Sequence, residues 1–217
     1  FGSPEIEGRF AYDEDLSKVN FEVRKTQLDE VLDLIANHLS NPAPPAYYVA
    51  SNAINEHFPE LRNTNDLHFE QSHMKGAVPV ASIWIGNPSL VPCHYDGSNN
   101  IACCVVGKRR FTLFPPEQIH NLYPGPLHPT PGGQAISMVD LASPDFNKYP
   151  RFRDAEKVGQ VVDLDAGDAV FFPTMWWHQV EGLSAFNVLI NYWWSMSPAL
   201  RGQPMNVLNH ALLSIRD

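Results

Sequence analysis

The sequence predicts an all-β sandwich or barrel with a helix at either end. Three observations lead there. Short strand-like runs recur along the second half of the chain, clusters of Gly, Pro and Asn separate them, and no strand–helix–strand alternation is present. A chain of 217 residues suits one such domain, with 44% hydrophobic residues to build a core and only 18% charged ones.

Taken in order, residues 1–20 show no periodicity. Residues 26–39 read as a helix, because Leu28, Val31, Leu32, Ile35 and Leu39 share one face. Thr26 is the expected N-cap, with Asp29 three residues on, and Asn41-Pro42 ends the segment. A strand is expected at 46–50, followed by others at 80–85, 101–106, 110–114, 160–164, 169–172 and 186–194. Gly86-Asn87-Pro88, Gly107-Lys108, Pro115-Pro116 and Ala166-Gly167-Asp168 supply the turns. Residues 121–150, dense in Pro and Gly, read as a long irregular insertion of the kind that is either functional or mobile. Residues 205–215 carry the helical stripe Val207, Leu208, Ala211, Leu212 and Ile215. The whole of 1–217 is read as a single domain with its core at about 47–194 and a C-terminal helix.

Composition excludes some functions. A formal charge of −9 argues against a nucleic-acid surface, which needs clustered Lys and Arg. No apolar run is long enough for a membrane span. Three cysteines cannot all pair, and Cys103 and Cys104 are adjacent, so a reducing, intracellular (cytoplasmic) setting is expected. The chain opens on Phe1 rather than Met, which leaves room for a preceding segment, a leader included.

The chemistry-bearing pattern is His94-Tyr95-Asp96. On a strand, residues two apart point to one face, so an imidazole and a carboxylate would converge. Such a triplet arises about once by chance in a chain with 9 His and 24 acidic residues, and His68-Phe69-Glu70 is a second. Context separates the two. The run from Gly167 to His178 is a turn, a buried strand, a Pro stop and then a histidine at the mouth of a hairpin. Two His and one Asp leave half of an octahedral shell open, the facial set of non-haem iron oxygenases. No thiolate joins them, which disfavours structural zinc. His38, His57, His68, His73, His120, His128 and His210 are read as ordinary polar residues.

These residues, with Asn100, Gly107-Lys108-Arg109-Arg110, Leu113-Phe114-Pro115-Pro116, Gly167-Asp168, Trp176-Trp177-His178 and Asn191-Tyr192-Trp193, resemble the cupin-like JmjC dioxygenases. That family includes asparaginyl hydroxylases. Leu122-Tyr123-Pro124 and Pro144-Asp145-Phe146 fit as well, and the likeness runs in consistent order from Tyr47 to Trp194. It implies a double-stranded β-helix (jelly roll) binding Fe(II) through His94, Asp96 and His178. The cosubstrate it implies is 2-oxoglutarate, chelating the metal through its 1-carboxylate and 2-keto oxygen. With O2, its oxidative decarboxylation to succinate drives hydroxylation of an unactivated C–H bond on a protein side chain or a small molecule.

The family holds the distal carboxylate with a lysine, and the count from the Gly107 turn places Arg109 there, with Lys108 as the fallback. Tyr48 matches a tyrosine reaching the same carboxylate, although Tyr47 is adjacent. Asn100 and Asn191 match two amides near the cosubstrate and the metal. Val91 stands where relatives carry a cosubstrate-binding threonine. Trp176, Trp177, Trp193 and Trp194 are candidates for a substrate groove, with core packing the commoner role. Relatives dimerise through C-terminal helices, so two readings of 205–215 stand: a homodimer surface, or a helix packed on its own barrel. Two other readings stand beside the oxygenase: a zinc or manganese cupin performing hydrolysis or isomerisation, and a jelly-roll binding module without activity.

Overall fold

The computed structural model describes residues 1–69 and 78–194. Among the described residues, nine antiparallel strands form two sheets. One sheet has five strands in the order β1 (Tyr48–Ala53), β2 (Val80–Gly86), β9 (Asn187–Trp194), β4 (Asn99–Val106) and β7 (Ala169–Phe172). The other has four, in the order β3 (Ser89–Tyr95), β8 (Trp177–Gly182), β5 (Arg109–Phe114) and β6 (Gln160–Leu164). Sequence neighbours repeatedly fall in opposite sheets, which is the winding of a double-stranded β-helix. The helices α1 (Leu28–Ala36), α2 (Ile54–His57), α3 (Arg62–Asn65) and α4 (Phe152–Val158) lie outside it. None of the helices among the described residues is long and apolar enough to cross a membrane.

Strand alternation sorts the side chains into three clusters. Ala102, Cys104, Phe111, Leu113, Leu164, Phe172 and Leu189 fill the space between the sheets. On the outer face of the five-stranded sheet, Ala81, Ile83, Ile85, Ile190 and Tyr192 pack with Ile35 of α1. On the outer face of the four-stranded sheet, Cys93, Tyr95, Phe114 and Trp177 meet Leu122 and Val139 of the insertion and Phe152 of α4. The insertion thus closes a core, and truncating an anchor such as Trp177, 1% exposed, would cost about 3–5 kcal/mol.

Two local expectations are corrected. The cap position of α1 is Gln27, and it makes no side-chain cap bond. The Thr26 hydroxyl instead donates to Glu30. Strands β3 and β8, absent from the expected set, carry the chemistry-bearing histidines. The expected helix at 205–215, and with it the dimer surface, lies outside the described residues.

Candidate metal centre

The centre is built on the β3–β8 ladder. His94 and His178 are direct cross-strand partners, with ring centroids 4.3 Å apart. His178 is therefore within a strand, not at a hairpin mouth. Asp96 is also displaced from expectation: it follows the last residue of β3, Tyr95, so strand alternation does not aim it. Its backbone carbonyl accepts the Met175 N–H at 2.8 Å, which pins the turn. Met175 holds φ at +67°, a left-handed conformation unusual for a side chain of this size, so strain is stored beside the site.

One potential ligand atom from each of His94, Asp96 and His178 falls within 4.8 Å of the others. The tautomers follow from the carbonyl partners. His94 Nδ1 lies 2.8 Å from Pro92 O and His178 Nδ1 3.1 Å from Trp176 O. A carbonyl only accepts, so both Nδ1 atoms donate and both Nε2 atoms keep a lone pair. Burial, with His94 beside it, pushes the His178 pKa down to about 4, keeping the ring in its neutral, ligating form. The lone pair of His178 Nε2 then faces Asp96 Oδ2 at 3.5 Å. Two electron-rich atoms held that close in a buried setting fit a cation that both can share.

A cavity of ≈ 50 Å³ runs inward from these three side chains, enough for several water molecules. Its far wall holds Arg109, which is 1% exposed. Gly107, at φ +81°, makes the turn from β4 into β5, and alternation along β5 then sends Arg109 inward and Arg110 outward to Asp163. Arg109 Nε and Nη2 have no hydrogen-bond partner among the described residues. Tyr48 meets the same guanidinium; burial raises the tyrosine's pKa, and Arg109 opposes that rise. Tyr48 is placed by Asn87, whose carboxamide binds Tyr47 N at 2.9 Å and Pro45 O at 2.8 Å, fixing the start of β1. Tyr47 itself packs in the outer cluster beside Ile35.

Asn100 and Asn191 line the cavity and form an ordered amide chain. Trp84 Nε1 donates to Asn191 Oδ1 at 2.7 Å, and Asn191 Nδ2 donates to Asn100 Oδ1 at 3.2 Å. Both amide oxygens are thereby occupied, and Asn100 Nδ2 is left as a donor. Val91 lines the wall too, and only a bulge explains how: Val91 and His94 are three apart, yet the register shift between them turns both inward.

The structure separates Lys108 from this group. Its ammonium pairs with Asp165 at 2.7 Å on an exposed part of the surface, so the fallback for the distal carboxylate is set aside. Of the four tryptophans, only Trp193 reaches the cavity. Trp176 packs beside the inter-sheet cluster, Trp177 lies in the insertion core, and Trp194 stacks on Phe171. Trp84 and Gln134 were missed. Trp84 is legible from the inward parity of β2, whereas nothing in the sequence marks Gln134.

The comparisons agree with this architecture. A family model described as a cupin-like domain matches residues 2–200. The chain is 40% identical over 103 residues to the lysine-specific demethylase JMJ31 of Arabidopsis thaliana, covering 46% of this chain and 18% of that protein. It is 36% identical over 115 residues to HSPB1-associated protein 1 of Homo sapiens, covering 52% and 23%. The JmjC domain-containing protein C of Dictyostelium discoideum is 29% identical over 162 residues, covering 69% and 36%. The chain belongs to the cupin-like JmjC family. It matches between 18% and 36% of the length of these three relatives.

Proposed function

We propose that this chain is an Fe(II)- and 2-oxoglutarate-dependent dioxygenase that hydroxylates an unactivated C–H bond on a protein side chain or a small molecule. The observation that carries the reading is Arg109. A buried guanidinium with two unpartnered nitrogens is costly unless an anion completes it. That anion enters a cavity whose opposite end is the His94–Asp96–His178 set. A dicarboxylate with a keto group next to one end satisfies both ends at once. A hydrolytic zinc site accounts for the three side chains and leaves Arg109 Nε and Nη2 without a partner.

Iron with 2-oxoglutarate would supply C–H oxidation by dioxygen, coupled to decarboxylation of the cosubstrate. The chain's own residues bind and orient. His94 Nε2, Asp96 and His178 Nε2 would hold the metal and leave one side of it open. Arg109 would grip the distal carboxylate through its Nε–Nη2 edge, helped by the Tyr48 hydroxyl. Asn100 Nδ2 would donate to the metal-side end, its direction set by Asn191 and Trp84. Phe111, Phe172, Val180 and Leu189 exclude bulk water between the two ends.

The test is anaerobic titration of the protein with Fe(II) and 2-oxoglutarate. A visible metal-to-ligand charge-transfer band, absent with Zn(II), supports the reading. Tight Zn(II) binding with no effect of 2-oxoglutarate would overturn it.

A further inference from the structure

We infer that Gln134 is a positioning residue that holds Asp96 to the metal through one oxygen, reaching it from the long insertion and not from the sheets. The inference rests on the metal-binding reading above. The two Asp96 oxygens have different surroundings. Oδ2 lies 3.5 Å from His178 Nε2, on the side of the shared cation. Oδ1 accepts a hydrogen bond from Gln134 Nε2 at 3.1 Å, across 38 residues of chain. A carboxylate at a strand end, with no alternation to aim it, can rotate and cap a metal with both oxygens. A donor fixed on Oδ1 favours the single-oxygen geometry, which leaves the other coordination positions for cosubstrate and oxygen.

The backbone shows why Gln134 is held where it is. Before it, Gly132 and Gly133 stand in open space, with Gly133 at φ +90°. After it, Ala135, Ile136 and Ser137 are all buried. Ser137 N donates to Cys93 O at 2.7 Å, beside His94, and Ser137 Oγ donates to Leu122 O at 2.6 Å. Ile136 N donates to the Tyr12 hydroxyl at 3.3 Å. Gln134 therefore hangs from a segment stitched to the strand that carries the first metal ligand. Its side chain does not fill a core. It borders a solvent-open cavity of ≈ 270 Å³ with Asp96, Gly97, Ser98 and Trp193.

The test uses Mn(II) alone as the probe, with affinity measured by calorimetry and the site read by electron paramagnetic resonance. Wild type, His94→Ala, Gln134→Leu and Gln134→Ala are compared, with thermal midpoints in parallel. Both Gln134 variants are expected to bind Mn(II) about tenfold more weakly or worse, with an altered spectrum and a near-wild-type midpoint. Wild-type affinity and spectrum in both would overturn the inference. So would a fall in midpoint with the spectrum unchanged, which marks a packing role. If wild type and His94→Ala bind Mn(II) alike, the metal reading itself fails, a result distinct from failure of Gln134 alone.

Discussion

His94 and His178 face each other across the β3–β8 ladder, and each turns its Nδ1 toward the backbone carbonyl two residues before it. This repeated local device fixes both tautomers and leaves both Nε2 atoms free as ligands. It also relates the centre to the sheet: the register that pairs the strands brings the two imidazoles together.

His94→Ala removes one of the three proposed ligands at a partly exposed strand position. Metal-dependent turnover of 2-oxoglutarate is expected to vanish, with the far-ultraviolet dichroism of the wild type retained. Turnover assays and dichroism on the same preparation check this.

Arg109→Met should separate stability from binding. Without an anion, the buried guanidinium is a cost, so the metal-free variant should unfold at a higher denaturant concentration than wild type. Its affinity for 2-oxoglutarate should fall roughly ten- to a hundredfold, as expected for losing about 1.5–3 kcal/mol of charge-assisted hydrogen bonding. A variant that is both less stable and equally competent to bind would refute the assignment.

Trp84→Phe keeps a ring against Trp193 but deletes the donor to Asn191 Oδ1. The buried acceptor left behind should cost about 1–3 kcal/mol of stability. Weaker 2-oxoglutarate binding should accompany it, because nothing then sets the direction of the Asn191–Asn100 amides. Urea unfolding and a cosubstrate titration read the two effects separately.

Asp66 and Tyr192 make a pH-sensitive clasp between the α3 region and β9. Burial alone would raise the Asp66 pKa, but hydrogen bonds from Arg62 and Tyr192 outweigh it and hold the pKa below its ordinary 3.8. Its stabilising contribution is therefore present above 3.8 and is lost as the pH falls through the lower folded value. Burial and the bond to Asp66 push Tyr192 the other way, from 10.0 up to about 12. That contribution is complete below pH 10.0 and is lost as the pH rises toward about 12. Tyr192→Phe should shrink both the alkaline loss and the acid one, as measured by denaturant midpoints across the pH range.

Much of the fold was legible because short apolar runs bounded by turn residues mark strands even at the sheet edges, where Val161 and Phe171 are 64% and 55% exposed. Strands β6 and β7 fall at 160–164 and 169–172, as their sequences predict. The pattern fails where the strands line the site. β8 reads as polar because His178 and Gln179 are buried by pairing and packing, not by hydrophobicity. β3 contains Pro92 and a bulge that breaks its alternation. Spacing and family likeness singled out His94, Asp96 and His178, yet strand parity is not what brings Asp96 to the two histidines. Its aim comes from Met175 and Gln134, one in a strained turn and one in a loop. Contacts of that kind depend on tertiary closure and leave no periodic trace.

The most direct test of the central claim is a crystal structure with Mn(II) and an inert 2-oxoglutarate analogue. The account predicts Mn(II) on His94 Nε2, one Asp96 oxygen and His178 Nε2, with the analogue's distal carboxylate on the Nε–Nη2 edge of Arg109. Mn(II) bound elsewhere, or an analogue whose carboxylate turns away from Arg109, would contradict it.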